Sequence, residues 1–317
     1  MAFHLLAATV LSFSVSPHHY GSTRALNLRH ATPVASLNRR ELALGTAAFA
    51  ALSCTQPSVA AEGITSVVVA GATGQTGRRC LELVSKVAGI SVVGGVRDPA
   101  KAEKKLSEAK IEIRGAMVEK GAAIDTSGVT LSALDVEKNS IADMAATLKG
   151  VGGLIIAVGF VPGNPFKMDA AAHAVDNVGT CALIDAAKQA GVKKVVLVSS
   201  ILTDAGAWGQ LDSAGYKITN AFGHVLEEKL VAEKYLRASG LDYTIVRPGG
   251  LKADAPTGAL FVSAENTLNS GEVSRDLVAK VSVEALFDAK ASNKVVEIIE
   301  SDKDGNAKGG VFNGIVM

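Results

Sequence analysis

A glycine-rich segment between residues 69 and 78 carries the clearest chemistry in the sequence. It reads Val-Ala-Gly-Ala-Thr-Gly-Gln-Thr-Gly-Arg, follows an apolar β-branched run and opens a pattern of helical spacing. Such glycines allow a tight turn, close approach of the backbone to a diphosphate, and close packing of a helix on a strand. The start of the helix then presents N–H groups to phosphate oxygens. The segment predicts a dinucleotide site formed by Gly71, Ala72, Thr73, Gly74, Gln75, Thr76 and Gly77.

Arg97, at the end of the second predicted strand, indicates which dinucleotide is bound. Proteins specific for NAD commonly place an acidic residue here, on the adenosine ribose. A guanidinium group can instead hold a 2′-phosphate through two hydrogen bonds. The neighbouring Asp98 is explained without a ribose, because Asp followed by Pro99 suits the start of a helix. We therefore expect NADP as the cofactor, with NAD as the alternative.

The composition excludes several other classes of protein. The chain has 317 residues with a net charge of +1 and 4% aromatic residues, so it lacks the basic, aromatic surface of a nucleic-acid-binding protein. Cys54, Cys80 and Cys181 are widely separated and form no Cys-x-x-Cys or Cys/His cluster. Neither a zinc site, nor a dithiol redox motif, nor a disulfide framework is predicted.

Short apolar strands alternate with helical patterns from Thr65 onward, and these elements must position the glycine-rich segment. Residues 110–127 are the least regular stretch, which we interpret as an inserted helix or a surface excursion. We predict one α/β domain, a doubly wound parallel sheet of the Rossmann type with strand order 3-2-1-4-5-6-7. Its strands are expected at residues 67–69, 92–93, 129–134, 154–158, 195–198, 244–246 and 295–299.

Residues 1–61 are predicted to be a cleaved targeting leader. They contain no Lys and one acidic residue, and the pair Arg39-Arg40 precedes an Ala-rich apolar run. Both apolar runs are shorter than the roughly 20 residues of a spanning helix, so no stable membrane span is expected. The pattern favours a bipartite plastid leader of the twin-arginine type and delivery to the thylakoid lumen. The stroma, the thylakoid surface or, for a bacterial source, the periplasm are the alternatives.

The leader divides the chain into three predicted parts. Residues 1–61 form the leader, residues 62–300 the NAD(P)-binding Rossmann domain, and residues 301–317 a C-terminal tail.

The glycine spacing and several later segments resemble the atypical short-chain dehydrogenase/reductase family. The resemblance covers most of residues 65–300 and includes Arg247-Pro248-Gly249-Gly250 and residues 182–200 and 229–247. Within the family, the chain is similar to plastid dehydrogenase-like proteins of the inner-envelope import machinery type. The resemblance implies an NAD(P)-binding domain and further cofactor contacts. By it, Asp135 and Val136 lie beside the adenine, Ala157, Val158 and Gly159 flank the adenosine, and Ser199 and Ser200 lie near the nicotinamide.

The family pattern is incomplete where catalysis is expected. Typical members use Tyr-x-x-x-Lys, in which the lysine lowers the pKa of a proton-donating tyrosine. Lys229 matches the lysine, but Val225 occupies the tyrosine position. Lys229 then either holds the ribose hydroxyls of the nicotinamide or is a solvated helix residue. Ser200 and Lys229 are the candidate catalytic residues, whereas His173 and His224 lack partners at metal-ligand spacing and are interpreted as capped or surface histidines.

Two functions remain open at this point. The first is an NADP-dependent oxidoreductase that acts on a small plastid metabolite. The second is a non-catalytic, NADP-binding scaffold or redox sensor that regulates plastid protein partners. The fold alone does not choose between them.

Overall fold

The computed structural model describes residues 63–313, apart from residues 109, 115–116, 122, 303–304 and 308. The predicted leader, residues 1–61, lies outside the described residues. Within the described ranges, every helix is too short or too polar to cross a bilayer.

The described chain contains twelve strands. They are β1 (Ser66–Ala70), β2 (Ser91–Val96), β3 (Lys110–Arg114), β4 (Met117–Gly121), β5 (Val129–Ala133), β6 (Gly153–Ile156), β7 (Lys194–Val198), β8 (Asp242–Pro248), β9 (Gly250–Lys252), β10 (Ala259–Ala264), β11 (Glu272–Ser274) and β12 (Lys294–Ser301).

Eight of these strands form the central sheet, in the order β10-β12-β8-β7-β6-β1-β2-β5. Seven of them pair in parallel. Read from the β5 edge, their order is β5-β2-β1-β6-β7-β8-β12, which confirms the predicted order 3-2-1-4-5-6-7. Strand β10 was not predicted and pairs antiparallel with β12 at one edge. Two smaller pairs, β9 with β11 and β3 with β4, lie outside this sheet.

Eight α-helices accompany the strands in the described chain. Three short 3₁₀ helices and one π-helical segment, His173–Gly179, complete the regular structure. The α-helices are α1 (Gln75–Ser85), α2 (Pro99–Ser107), α3 (Ile141–Thr147), α4 (Met168–Ala172), α5 (Thr180–Ala190), α6 (Ala214–Asn220), α7 (Val225–Ala238) and α8 (Arg275–Phe287).

Helices cover both faces of the sheet, which explains why its strands read as continuous apolar runs. Val67 and Val69 of β1 face one core with α1 and α8. Val68 of the same strand faces the other core, where Leu183 of α5 and Leu236 of α7 pack. Alternate side chains of one strand therefore pack in opposite layers, and this packing fixes the positions of the carboxyl ends of the strands.

The excursion predicted at residues 110–127 contains an antiparallel pair, β3 and β4. The predicted alternative of an inserted helix is therefore wrong, and the excursion is a hairpin. Ile111 and Ile113 alternate with polar residues in this segment, a period of two that fits a strand better than a helix.

Several described residues of the predicted C-terminal tail, residues 301–317, pack against the domain. Val311 and Phe312 are buried in the core beside α1 and α8. The side-chain amide of Asn306 accepts a hydrogen bond from the Val262 N–H and donates one to the Val262 carbonyl. This pairing satisfies the backbone of edge strand β10 and protects it from pairing with another chain.

Candidate functional site

The turn between β1 and α1 is built so closely that only glycine fits at two of its positions. Gly71 has a φ of +78°, and a Cβ there would lie 2.6 Å from the Ala157 carbonyl oxygen. A Cβ on Gly77 would lie 2.2 Å from the Gly71 carbonyl oxygen. The backbone of the loop is thus pressed against the end of β6, where no side chain would fit.

The start of α1 provides hydrogen-bond donors for a ligand. Gly74 is the N-cap, no side chain caps the helix, and no acidic residue lies in its first turn. The first intrahelical bond of the helix runs from the Arg78 N–H to Gly74, so the N–H groups of the preceding turn have no acceptor within the helix. These donors and the helix dipole suit a diphosphate, as the sequence predicts for residues 71–77.

The next strand ends at the predicted position for the adenosine ribose. Arg97 follows β2 and is exposed. The Asp98 carboxylate accepts the Lys101 N–H at 3.2 Å and caps α2, with Pro99 as the first helical residue. The Lys101 ammonium group, 2.9 Å from the same carboxylate, and then this backbone hydrogen bond lower the pKa of Asp98. The interpretation of Asp98 as a helix cap is confirmed. Of the two residues that follow β2, Arg97 is therefore the one whose side chain does not cap the helix.

The residues expected around the adenosine lie at neighbouring strand ends. Asp135 follows β5, is buried, and accepts the Glu137 N–H at 3.1 Å. Val136 packs against the π-helical segment at Gly179. Ala157 follows β6 directly against the glycine loop, and Val158 and Gly159 come next along the chain. Their contacts with a cofactor remain predictions.

An ion pair that the sequence analysis did not predict lies between the ends of β6 and β7. The Lys229 ammonium group is 2.8 Å from Oδ1 of Asp176, and the two side chains are 19% and 0% exposed. The Phe160 N–H donates to the other oxygen of Asp176 at 3.0 Å. The interpretation of Lys229 as a solvated helix residue is therefore wrong. Its ammonium group is held at a fixed point inside the cleft.

Asp176 belongs to a distorted stretch of helix. It lies in the middle of the π-helical segment His173–Gly179, and such bulges often occur at functional sites. Two further irregularities are non-glycine residues with positive φ: Leu202 at 64°, two residues after Ser200, and His224 at 53°, the N-cap of α7. No sequence pattern marks a π-bulge, and Asp176 stands among other polar residues of the same segment, such as His173 and Asn177, so the sequence carries no signal for this ion pair.

The two serines after β7 have different surroundings. The Ser199 hydroxyl donates to Glu233, which is buried. Ser200 is half-buried, and its carbonyl oxygen accepts a hydrogen bond from the Thr203 hydroxyl. Because the Ser199 hydroxyl is directed to Glu233, Ser200 is the better candidate for a hydroxyl that meets a substrate.

A buried charge network supports this strand end. The Arg247 guanidinium group bonds Glu233 at 2.6 Å and lies 3.4 Å from Glu297, and all three side chains are buried. Burial tends to lower the pKa of Arg247, but Glu233 and the other carboxylates raise it above its usual value. Arg247 comes from the Arg-Pro-Gly-Gly segment of the family resemblance, and its contacts show that this segment stabilises the floor of the cleft.

No tyrosine occupies the proton-donor position. Val225, four residues before Lys229, is buried against Ile201 and Leu202. The Tyr216 hydroxyl bonds Glu227 and Asn220 rather than Lys229. Burial, followed by the bond with Glu227, raises the pKa of Tyr216, which makes it a weaker acid.

His173 and His224 lie at the surface, as the sequence predicts. His173 is 3.1 Å from Glu228 and His224 is 3.6 Å from Glu227, and both imidazoles are more than half exposed. No group of three potential metal ligands occurs among the residues that the structure describes.

Comparisons with known proteins agree with this geometry. A family model described as NAD(P)H-binding matches residues 71–289. An uncharacterized chloroplastic protein of Arabidopsis thaliana is 44% identical over 239 residues, which cover 74% of this chain and 76% of that protein. The chloroplastic protein TIC 62 of Pisum sativum is 33% identical over 241 residues, covering 74% of this chain and 42% of the relative.

A solved structure agrees as well. An anaerobilin reductase from Escherichia coli is 28% identical, with a TM-score of 0.56 over 76% of this chain and 99% of the reductase. The sequence match and the fold together confirm the predicted family and a nicotinamide cofactor. The chain therefore belongs to the NAD(P)H-binding family of atypical short-chain dehydrogenase/reductase proteins.

Proposed function

We propose that this chain is an NADP(H)-dependent oxidoreductase of the plastid that acts on a small metabolite. The glycine loop carries the proposal, because a Cβ at Gly71 or Gly77 would collide with backbone atoms and the helix start offers unpaired donors for a diphosphate. A glycine loop packed this closely against the neighbouring backbone is expected where a dinucleotide binds. When bound, the reduced cofactor would supply a hydride.

The preference for NADP rests on Arg97 and Asp98. The Asp98 carboxylate is committed to the start of α2, and the exposed guanidinium group of Arg97 stands at the same strand end. A 2′-phosphate would satisfy this guanidinium group, whereas the ribose of NAD would leave it without a partner.

Lys229 and Ser200 are proposed as the residues that act at the reacting end. The ammonium group of Lys229, fixed by Asp176, is suited to donate hydrogen bonds to ribose hydroxyls. Ser200 is suited to donate one to a polar group of the substrate. No side chain at position 225 supplies a proton, so the proton of the reaction comes from water or is not required.

The test is oxidation of NADPH by the purified chain with carbonyls, quinones, flavins and enones as acceptors. We expect turnover with at least one class, a preference for NADPH over NADH, and loss of turnover in Gly77→Ala. A chain that binds NADPH but reduces none of these acceptors would contradict the oxidoreductase proposal.

A second candidate is a non-catalytic NADP-binding scaffold or redox sensor. The buried Val225 at the proton-donor position favours it, because a reductase of the typical branch could not function with this residue. Affinity capture from plastid extract with NADP⁺ or NADPH present distinguishes the two. Partners that change with the redox state of the cofactor support the scaffold, and partners that do not change contradict it.

The plastid location is supported by the chloroplastic relatives. Delivery to the thylakoid lumen depends on Arg39 and Arg40, within the predicted leader. A fusion of residues 1–61 to a fluorescent protein should reach the lumen and should stop in the stroma when both arginines are replaced by lysine. Lumenal delivery that persists in the double variant would contradict a twin-arginine route.

A further inference from the structure

We propose that this chain attaches to a neutral lipid surface through an apolar ridge formed by α6 and by the 3₁₀ turn before α4. The inference goes beyond the proposed function and does not depend on the cofactor or the substrate. The apolar ridge consists of five exposed apolar residues: Phe166, Ala214, Ile218, Ala221 and Phe222.

The inward side of α6 is polar. Tyr216 and Asn220, one helical turn apart, both bond the Glu227 carboxylate, at 3.1 and 2.9 Å. Asn220 is buried, and its side-chain oxygen accepts the Leu226 N–H at 3.1 Å. These hydrogen bonds attach α6 to the start of α7, so the opposite side of α6 faces solvent.

The outward side of α6 is apolar. Ala214 and Ile218 lie one turn apart, and the chain keeps its helical conformation at Ala221, just before Phe222. All four residues are exposed, Ile218 at 66% and Phe222 at 45%. Residues three and four apart share one side of a helix, and surface helices normally turn their apolar side to the core. The reversed arrangement of α6 indicates that a partner outside the domain covers its outward side.

Phe166 extends the ridge from a neighbouring segment. It lies in the 3₁₀ turn before α4 and is 98% exposed. The two segments meet closely, because a Cβ on Gly223 would lie 2.5 Å from the Met168 carbonyl oxygen. Phe166 and Phe222 are two residues and one residue away from this contact. Adjoining exposed apolar side chains of this kind mark a surface that binds a protein or a lipid.

The shape of the ridge favours a lipid surface over a protein partner. At 98% exposure, the Phe166 ring is hardly touched by the rest of the chain, so it is a projection and not part of a groove. A folded partner would need a matching pocket for this ring. In a symmetric pair of copies, the ridge would meet another projection. Acyl chains accept a projecting ring at any position, as they accept the apolar side of an interfacial helix.

The charges beside the ridge favour a neutral lipid. Four charged residues lie within three positions of it, two basic and two acidic, and all are exposed: Lys167, Lys217, Asp169 and Asp212. The stem of a lysine can lie along apolar surface while its ammonium group reaches the phosphate of a lipid head. Because these charges balance and the whole chain carries only +1, insertion of apolar side chains should provide the affinity.

The test is flotation of the full chain with vesicles of phosphatidylcholine at about 0.1 M and about 0.5 M NaCl. We expect similar binding at both salt concentrations, because salt screens attraction between charges but not the insertion of apolar groups. Binding that is lost at the higher concentration, or that requires anionic phosphatidylglycerol, would overturn the proposal.

Variants locate the lipid-binding surface. The triple variant Phe166→Ser, Ile218→Ser, Phe222→Ser should lower the partition coefficient at least tenfold. The matched control replaces three exposed apolar residues outside the ridge and should stay within twofold of the wild type: Val178→Ser, Val231→Ser and Leu251→Ser. Urea denaturation checks that both variants fold. An unchanged partition coefficient in the ridge variant, or an equal loss in the control, would overturn the proposal.

A tryptophan placed in the ridge reports where the lipid is bound. Trp208 is the single tryptophan of the chain, so Trp208→Phe provides a silent background. In this background, the emission of Phe166→Trp should shift to shorter wavelength with vesicles and should be quenched by brominated phosphatidylcholine. Val231→Trp, on α7, is the matched control and should show neither effect. Vesicle binding without a change in Phe166→Trp would place the attachment elsewhere, for example in the predicted leader, and would overturn the proposal.

Light scattering distinguishes a lipid surface from a second copy of the chain. A dimer that forms without lipid and is abolished in the ridge variant would make the ridge a protein interface and would overturn the proposal. NADP⁺ binding is measured separately and should stay within twofold of the wild type in the ridge variant. Failure of the lipid proposal therefore leaves the oxidoreductase proposal standing, and failure of NADP⁺ binding in the wild type affects only the oxidoreductase proposal.

Discussion

Replacing Lys229 with methionine should destabilise the fold strongly, because it would leave a buried carboxylate without its counter-charge. Asp176 is 0% exposed and Lys229 is 19% exposed, and breaking such a pair by removing one partner costs about 3–5 kcal/mol. The lysine retains some solvent access, so we expect the lower end, about 3 kcal/mol. For a domain of this size, that corresponds to a fall in Tm of about 6–12 °C.

Urea denaturation at pH 7 measures this difference, with Lys234→Met as the matched control. Lys234 is exposed on the same helix, and its replacement should change the free energy of unfolding by less than about 0.5 kcal/mol. In Lys229→Met, replacing Asp176 with asparagine should recover about 2 kcal/mol, since the amide can still accept the Phe160 N–H. The reasoning is refuted if Lys229→Met costs no more than the control, or if the two substitutions add independently.

Three other predictions concern the loop, the pH dependence and the thiols. Gly77→Ala should abolish NADP⁺ binding measured by calorimetry, because its Cβ would collide with backbone atoms. Gly163→Ala is the control and should bind NADP⁺ normally, because a Cβ there would have no atom nearer than 3.9 Å. Equal binding by the two variants would contradict the steric argument. Burial alone would raise the pKa of Glu300, but its ion pair with Lys252 and three backbone N–H groups lower the pKa from 4.5 to about 2. The stability that Glu300 provides is therefore present above pH 4.5 and is lost as the pH falls towards 2. In Glu300→Gln, the free energy of unfolding measured by urea denaturation should therefore fall less steeply between pH 4.5 and pH 2 than in the wild type. An unchanged pH dependence would refute this. Burial raises the pKa of the Cys80 thiol to about 12, so it should react with a disulfide reagent at pH 8 only after unfolding, and rapid labelling of the native chain would contradict its burial.

The sheet could be predicted because its determinants are local. The runs at β1 and β7 are apolar on both faces, and the glycine spacing at residues 71–77 identifies the first turn. Strand β10 could not be predicted in the same way. Its sequence alternates weakly, and its place depends on pairing with β12 and on the Asn306 amide, which come from distant parts of the chain.

The site was only partly predictable. Lys229 follows from a family pattern, but its partner Asp176 lies 53 residues earlier, within a π-bulge of its helix. Backbone distortions of this kind depend on tertiary packing rather than on residue spacing. The capping role of Asp98, by contrast, follows from two adjacent residues and was predicted correctly.

The measurement that tests the central claim most directly is a calorimetric titration of the chain with NADP⁺ and NAD⁺, repeated with Arg97→Ala. The control is Lys188→Ala, an exposed lysine in the last turn of α5, the helix that leads into the amino end of β7. We predict that Arg97→Ala weakens NADP⁺ binding about tenfold or more and leaves NAD⁺ binding within twofold, because in the proposed site only the 2′-phosphate would bond the guanidinium group. The account is contradicted if the wild-type chain binds neither dinucleotide, or if Arg97→Ala weakens both equally.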